Sequence, residues 1–345
     1  MKFGRIIAAA LAVVFIAALI YAFVPRRYEA SFYPMGGIPF EVVVYGRNYI
    51  EFDKDFAAVE NRVEELDRVF NRYSKTSEIT RLNEDAASAP FWAGPDIEDA
   101  IKISEKWNRI SWGAFDLSVA PLVDMWREAG KLGVMPSKGD ITERMKAVGL
   151  SKINFVDNGM IKFSVNGMAL DFGAIAKGYI VDQVVKTLKK RRVKRGIVNA
   201  GGDGYAFGEG TFRFGIQDPT KRTGELIGTV EVSNGAVVTS GNYERYVEID
   251  GKKYSHIINP RTGWPVEDDL VSVTVIGGSA ADADALATSL IVLGKDEGIS
   301  LLKDIHEFKA LMVRKWGDEY SIWVSKELSG SVQLKPGWSE KVHTF

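Results

Sequence analysis

The first stretch of the chain is an apolar run with no polar interruption. Residues 6–24 carry no charge, follow Lys2 and Arg5, and end at Pro25-Arg26-Arg27. As a helix the run reaches about 28 Å at 1.5 Å per residue, close to the hydrocarbon thickness of a bilayer. It exceeds a usual signal-peptide core and has no clean small-x-small site before Pro25, so an uncleaved anchor is favoured over a cleaved signal. Beyond it, residues 40–53 alternate around Gly46-Arg47-Asn48 and predict a hairpin. Val59, Val63, Leu66 and Phe70 recur at helical spacing within 57–73. Further helices are expected at 97–110, across 119–148 with breaks at Gly130, Gly133 and Pro136, and at 176–191. Two strands flank Asp157-Asn158-Gly159 within 153–172, and short strand-like runs follow at 196–199, 211–217, 228–233, 245–249 and 271–276. Helices at 280–293 and 296–305 and a hairpin over 309–325 turning at Gly317-Asp318 precede a loose tail, 329–345. Regular βαβ alternation is missing, so the expected class is α+β: mixed, largely antiparallel sheets packed with helices. One main domain of one or two lobes, 28–328, stands between the N-terminal segment 1–27 and the tail.

Composition narrows the function classes. At 46% hydrophobic and 26% charged, the 345 residues can bury a sizeable core. Lys and Arg number 44 against 45 Asp and Glu, which gives no reason to expect a nucleic-acid partner. Residues 1–27 hold four basic and no acidic side chains, so the remainder, 40 basic against 45 acidic, is mildly acidic. The chain has no cysteine, which excludes disulfides, thiolate metal sites and Cys nucleophiles. Three histidines leave little for a zinc site, so any metal is expected to be a hard, oxygen-liganded ion such as Mg2+.

Several motifs offer chemistry, each with a structural alternative. Gly202, Gly204 and Gly208 give G-x-G-x-x-x-G leading into strand, which fails the dinucleotide fingerprint in spacing and context and leaves a tight turn. The run 186–195 holds seven Lys or Arg without interleaved aromatics and reads as a solvated helix C-terminus. Asp282, three residues after Ser279, fits a capping box. Asp284 and Thr288, at i and i+4, put a carboxylate and a hydroxyl on one helical face, half of a magnesium site, although Thr288 can also bond back to a helix carbonyl. His256 precedes an Asn-Pro-Arg-Thr-Gly turn and is the best general-base candidate, or else a structural strand-end histidine.

Taken in order, these pieces resemble the FAD:protein FMN transferases, the ApbE-like flavin transferases. The matching stretches are Met35-Gly36, Ser77-Glu78-Ile-Thr-Arg-Leu-Asn83, Gly113-Ala-Phe-Asp116, Leu170-Asp-Phe-Gly-Ala-Ile-Ala-Lys-Gly178 and Ala200-Gly-Gly-Asp203. They continue through Thr239-Ser-Gly-Asn-Tyr243, His256-Ile-Ile-Asn-Pro-Arg-Thr-Gly263 and Asp284-Ala-Leu-Ala-Thr288. The resemblance implies an Mg2+-dependent enzyme that splits the FAD pyrophosphate, passes FMN to a Thr or Ser hydroxyl of an acceptor flavoprotein and releases AMP. By motif position it assigns FAD contacts to Met35, Ala114, Phe115, Asp116, Asp171, Lys177 and Ile258. Metal contacts fall to Asp284, Thr288 and the Ala174 carbonyl, and His256 stands by the reacting phosphate. Phe115 and Met35 would offer apolar surface to the rings of FAD.

The chain departs from the family pattern at Asn259, where Asp is common, at Gly37, where Thr is more usual, and at Ala287, where some members are acidic. Two other readings stay open: an FAD pyrophosphatase giving FMN and AMP, and a membrane-tethered flavin-binding module without turnover. The expected location is the periplasmic side of the inner membrane on a single-pass anchor. By analogy, the acceptor is a subunit of a membrane redox complex.

Overall fold

In the structure, a computed structural model, residues 2–34, 37–156, 159–220, 224–242, 246–267 and 269–345 are described. Met35, Asp157, Asn158 and Tyr243 therefore lie outside the described residues. The N-terminal apolar run is helix α1 (Lys2–Phe23), of which Arg5–Phe23 is long and apolar enough to cross a membrane, with a mean hydropathy of 2.8. Strands β1 (Arg26–Phe32) and β2 (Phe40–Arg47) follow. The hairpin expected over 40–53 does not form. After β2 the chain turns directly into helix α2 (Tyr49–Phe70), because Asn48 and Glu51 make a reciprocal capping box. Next come α3 (Glu78–Asp85), β3 (Phe91–Trp92), α4 (Pro95–Ile110), α5 (Ala120–Leu132), α6 (Lys138–Met145), β4 (Ile153–Val156) and β5 (Met160–Phe163).

Helix α7 (Ala176–Lys190) leads into β6 (Arg195–Ala200) and β7 (Asp203–Phe207). The glycine cluster is the tight turn between these two strands: Ala200 pairs with Asp203, and Gly201 (φ 58°) and Gly202 (φ 99°) occupy the left-handed region that glycine tolerates. Strands β8 (Phe212–Gln217), β9 (Leu226–Val232), β10 (Gly235–Gly241), β11 (Tyr246–Ile249), β12 (Lys252–Ser255) and β13 (Leu270–Gly277) precede α8 (Ala280–Asp304), which breaks at Gly294 where two helices were expected. Strands β14 (Lys309–Trp316), β15 (Glu319–Val324), β16 (Val332–Leu334) and β17 (Val342–Thr344) complete the chain. The tail is not loose: β16 pairs with β9, and β17 runs parallel to β15.

Among the described residues, nine strands form one sheet in the order β1-β2-β6-β7-β10-β13-β14-β15-β17, antiparallel except at β15–β17. Its inner strands are buried on both faces. Along β14, Ala310 and Met312 point into the large helical core while Leu311 and Val313 meet the β16-β9-β8 sheet on the other side. Helices α7 and α8 cover the first face. The β11–β12 hairpin stands apart and packs on α5 through Ile249, Tyr254 and Trp126.

Candidate active site

Two helix N-termini meet on the sheet, and each is capped by the other helix. On α8, Ser279 Oγ accepts from Asp282 N at 3.2 Å, while Ala280 N and Ala281 N both donate at 2.9 Å to the carboxylate of Asp182, which belongs to α7. The capping box expected of Asp282 is thus only half formed. Its carboxylate accepts instead from Lys106 Nζ and Trp107 Nε1 of α4, both at 2.7 Å. In return, Asp284 Oδ2 on α8 accepts from Gly178 N in the first turn of α7 at 3.2 Å. The approach leaves no room for a side chain at Gly178, where a Cβ would lie 2.2 Å from the Ala280 carbonyl oxygen. Burial raises the Asp182 carboxyl pKa against the pull of those N–H and O–H donors.

The junction concentrates charge. Asp284 is 2% exposed and Asp203 1%. Lys177 Nζ forms an ion pair with Asp203, whose other oxygen accepts from Thr239 N at 3.1 Å. Burial pushes the Asp284 carboxyl up to about 7, and Asp203 adds to the rise while Lys177 and the Gly178 N–H oppose it. One turn along α8, Thr288 Oγ1 lies 3.3 Å from Ser240 Oγ of β10, beside Thr239. Two buried carboxylates thus face one ammonium, an arrangement that favours a further cation. Ala174 lies just before the α7 start that Asp284 caps, so the donors assigned to a metal are a carboxylate, a hydroxyl and a carbonyl. Among the described residues no three His, Cys, Asp or Glu side chains gather as a metal cage. A single carboxylate with neutral oxygens suits Mg2+, which keeps positions for water and phosphate oxygens.

The remaining expected residues occupy two neighbouring segments. Asp171 is held by an ion pair to Arg72, which also grips Asp124 with two 2.8 Å contacts, and Asp171 Oδ1 accepts from Gly173 N at 2.8 Å. Asp171 N donates to Leu117 O at 2.8 Å, which ties this segment to the loop bearing Ala114, Phe115 and Asp116. Burial raises the Asp116 carboxyl pKa, opposed by its hydrogen bonds from Ser118. Ala114 and Phe115 are buried in the main core, so the Phe115 ring supports the loop from beneath. In the third segment His256 is exposed just after β12, and Ile258 is buried against Leu122 and Trp126. Asn259 Oδ1 accepts from Arg261 N at 2.9 Å and its N donates to Trp264 O at 2.8 Å, so this amide shapes the turn. A Cβ at Gly113 would lie 3.9 Å from Arg261 Cγ, which places the two loops side by side.

Lys177, Asp284 and Thr288 are therefore gathered at one junction, Asp116 and Asp171 in a second segment, and His256 with Ile258 in a third. Sequence reasoning missed Asp203, Asp182 and Arg72. Asp203 carried one signal, its place at the end of the matching stretch Ala200-Gly-Gly-Asp203, but no role was assigned to it; Arg72, 99 residues before its partner, carried none.

The chain belongs to the ApbE family, whose model matches residues 36–312, and with it to the flavin transferases. An FAD:protein FMN transferase of Klebsiella pneumoniae (strain 342) is 34% identical over 240 residues, covering 69% of this chain and 75% of that protein. A second, from Vibrio cholerae serotype O1, is 30% identical over 273 residues, covering 77% and 81%. The apo structure of the flavinyl transferase ApbE of Pseudomonas stutzeri matches with a TM-score of 0.77 at 28% identity, covering 90% of this chain and 98% of that one.

Proposed function

We propose that the protein transfers FMN from FAD to a Thr or Ser hydroxyl of an acceptor flavoprotein, with Mg2+, and releases AMP. The observation that carries the proposal is the cluster of half-buried Lys177 with the buried carboxylates of Asp203 and Asp284 at the mutually capped helix starts, within the stretch that matches the family. Asp203 fixes Lys177, so that its ammonium offers a placed positive charge to a pyrophosphate oxygen. Asp284, Thr288 and the Ala174 carbonyl would hold Mg2+, which supplies charge neutralisation at the phosphates when bound. His256 takes the proton of the acceptor hydroxyl as that oxygen bonds to the FMN phosphorus. The bond from this phosphorus to the bridging oxygen breaks, and AMP leaves with that oxygen. Met35, Ala114, Phe115, Asp116, Asp171 and Ile258 serve FAD binding, with Lys177. Residues 28–328 act as the catalytic domain, held by 1–27 on the periplasmic face of the inner membrane, with the acceptor a subunit of a membrane redox complex.

The test is to incubate the full chain in detergent with FAD, Mg2+ and an acceptor domain. Expected are acceptor fluorescence that survives a denaturing gel and an equal amount of AMP. FMN and AMP formed as fast without the acceptor would make the protein a pyrophosphatase, and FAD recovered intact would make it a binding module.

A further inference from the structure

At the far end of α7 from Lys177 lies the densest positive charge of the chain. Residues 186–195 include seven Lys or Arg and no acid, and Lys186, Lys189, Lys190, Arg192 and Lys194 are exposed. Lys186, Lys189 and Lys190 line an open cleft of about 470 Å3 together with Asp182, Tyr205 and Gly278, the Asp182 carboxylate being already engaged by the start of α8. A buried carboxylate fixes where this run sits. Arg191 Nε and Arg47 Nε donate at 2.7 Å to the two oxygens of Asp55, which is wholly buried in α2. The first turn of α2 meets the membrane-length helix: the Tyr49 ring lies 5.9 Å from Tyr21, and the Arg26 guanidinium stacks 4.6 Å over the same tyrosine. Tyr21, Phe23, Tyr49 and Ile50 are exposed there, an aromatic and apolar collar of the kind found at bilayer interfaces. Only Val24 and Pro25 separate α1 from β1.

We infer that the 186–195 face is a docking surface for anionic lipid headgroups of the leaflet that α1 enters, seating the catalytic body on the bilayer. Charge favours this one orientation. The body as a whole is acidic, so an anionic surface repels most of it and attracts the basic end beside the anchor. Along α7, at 1.5 Å per residue, Lys177 then stands about 14 Å from Lys186 and about 20 Å from Lys190, on the side away from the lipid. The inference rests on the anchor reading of residues 1–27.

The test uses the full chain in nanodiscs of phosphatidylcholine alone or with about a third phosphatidylglycerol. A neutral lysine-acylating reagent and mass spectrometry read the labelling rates of Lys186, Lys189 and Lys190 against exposed Lys138. Labelling is expected to slow roughly fivefold or more in the anionic discs and to recover in about 0.5 M salt. Replacing Lys186, Lys190, Arg192 and Lys194 by Gln together should abolish the slowing at Lys189 while turnover in detergent stays unchanged. Equal rates in both discs, slowing in both, or slowing that appears only once an acceptor protein is added would each overturn the docking surface. A chain that fails to enter nanodiscs at all would overturn the anchor and the docking surface with it.

Discussion

Asp284 combines a structural and a chemical task in one carboxyl: it caps α7 while burial and Asp203 drive its pKa to about 7. Between the ordinary Asp value of about 3.9 and that figure, the folded protein holds a proton that the unfolded chain has released. Stability from this group therefore falls as pH rises through the window. Melts of the metal-free protein in EDTA should show a lower Tm at pH 8 than at pH 5, and Asp284→Asn should flatten that slope. An equally steep slope in the variant would assign the titration elsewhere. In the proposed site Mg2+ would bind the ionised carboxylate, so its stabilisation should be larger at pH 8 than at pH 6 in the same melts. His256 is exposed and packs no core, so His256→Ala should keep its Tm within about one degree while acceptor labelling falls about 100-fold or more. A variant that labels normally would remove the general base from the mechanism.

The reciprocal capping of α7 and α8 makes the site a property of the pair. Gly178→Ala forces a Cβ onto the Ala280 carbonyl and should cost about 3 kcal/mol or more, read from the urea midpoint. Asp182→Ala leaves the Ala280 and Ala281 N–H groups without their carboxylate and should cost about 1–3 kcal/mol. Both variants should weaken FAD binding, because either one shifts Asp284 relative to Lys177. These elements also show what a sequence discloses. The bounds of α7 and the break at Gly294 were legible because the apolar period and the glycine are local signals. The hairpin expected at 40–53 was wrong because Tyr49-Ile50-Glu51-Phe52 continues the alternation of β2, and Asn48-x-x-Glu51 outweighs it by closing a capping box. Strands β7 and β10 were overlooked because they are buried on both faces and lack alternation. Of the site, Asp284 and Thr288 were legible as an i, i+4 pair. The pairing of Asp203 with Lys177 and of Arg72 with Asp171 was not, since tertiary packing alone brings these partners together.

On the scale of the whole molecule, Asp55 joins the end of β2, the start of α2 and the end of α7 through two arginines. Asp55→Ala removes the buried carboxylate that joins two partly exposed guanidinium groups and should cost about 1–3 kcal/mol, again measured as a shift in the urea midpoint. The C-terminal tail closes the far border of the large sheet and lays β16 on β9, so truncation after residue 328 should lower Tm and promote aggregation through the bared strand of β15. The strand order also ties folding to the direction of synthesis. Strand β2 has no inner neighbour until β6 is made, about 150 residues later, and the middle of the sheet waits for β13 and β14. The apolar helix α1 leaves the ribosome long before any of these partners exists. The polypeptide that trails it is still an open thread at that moment, the state that the periplasmic placement proposed above would require of a chain threaded through a narrow channel.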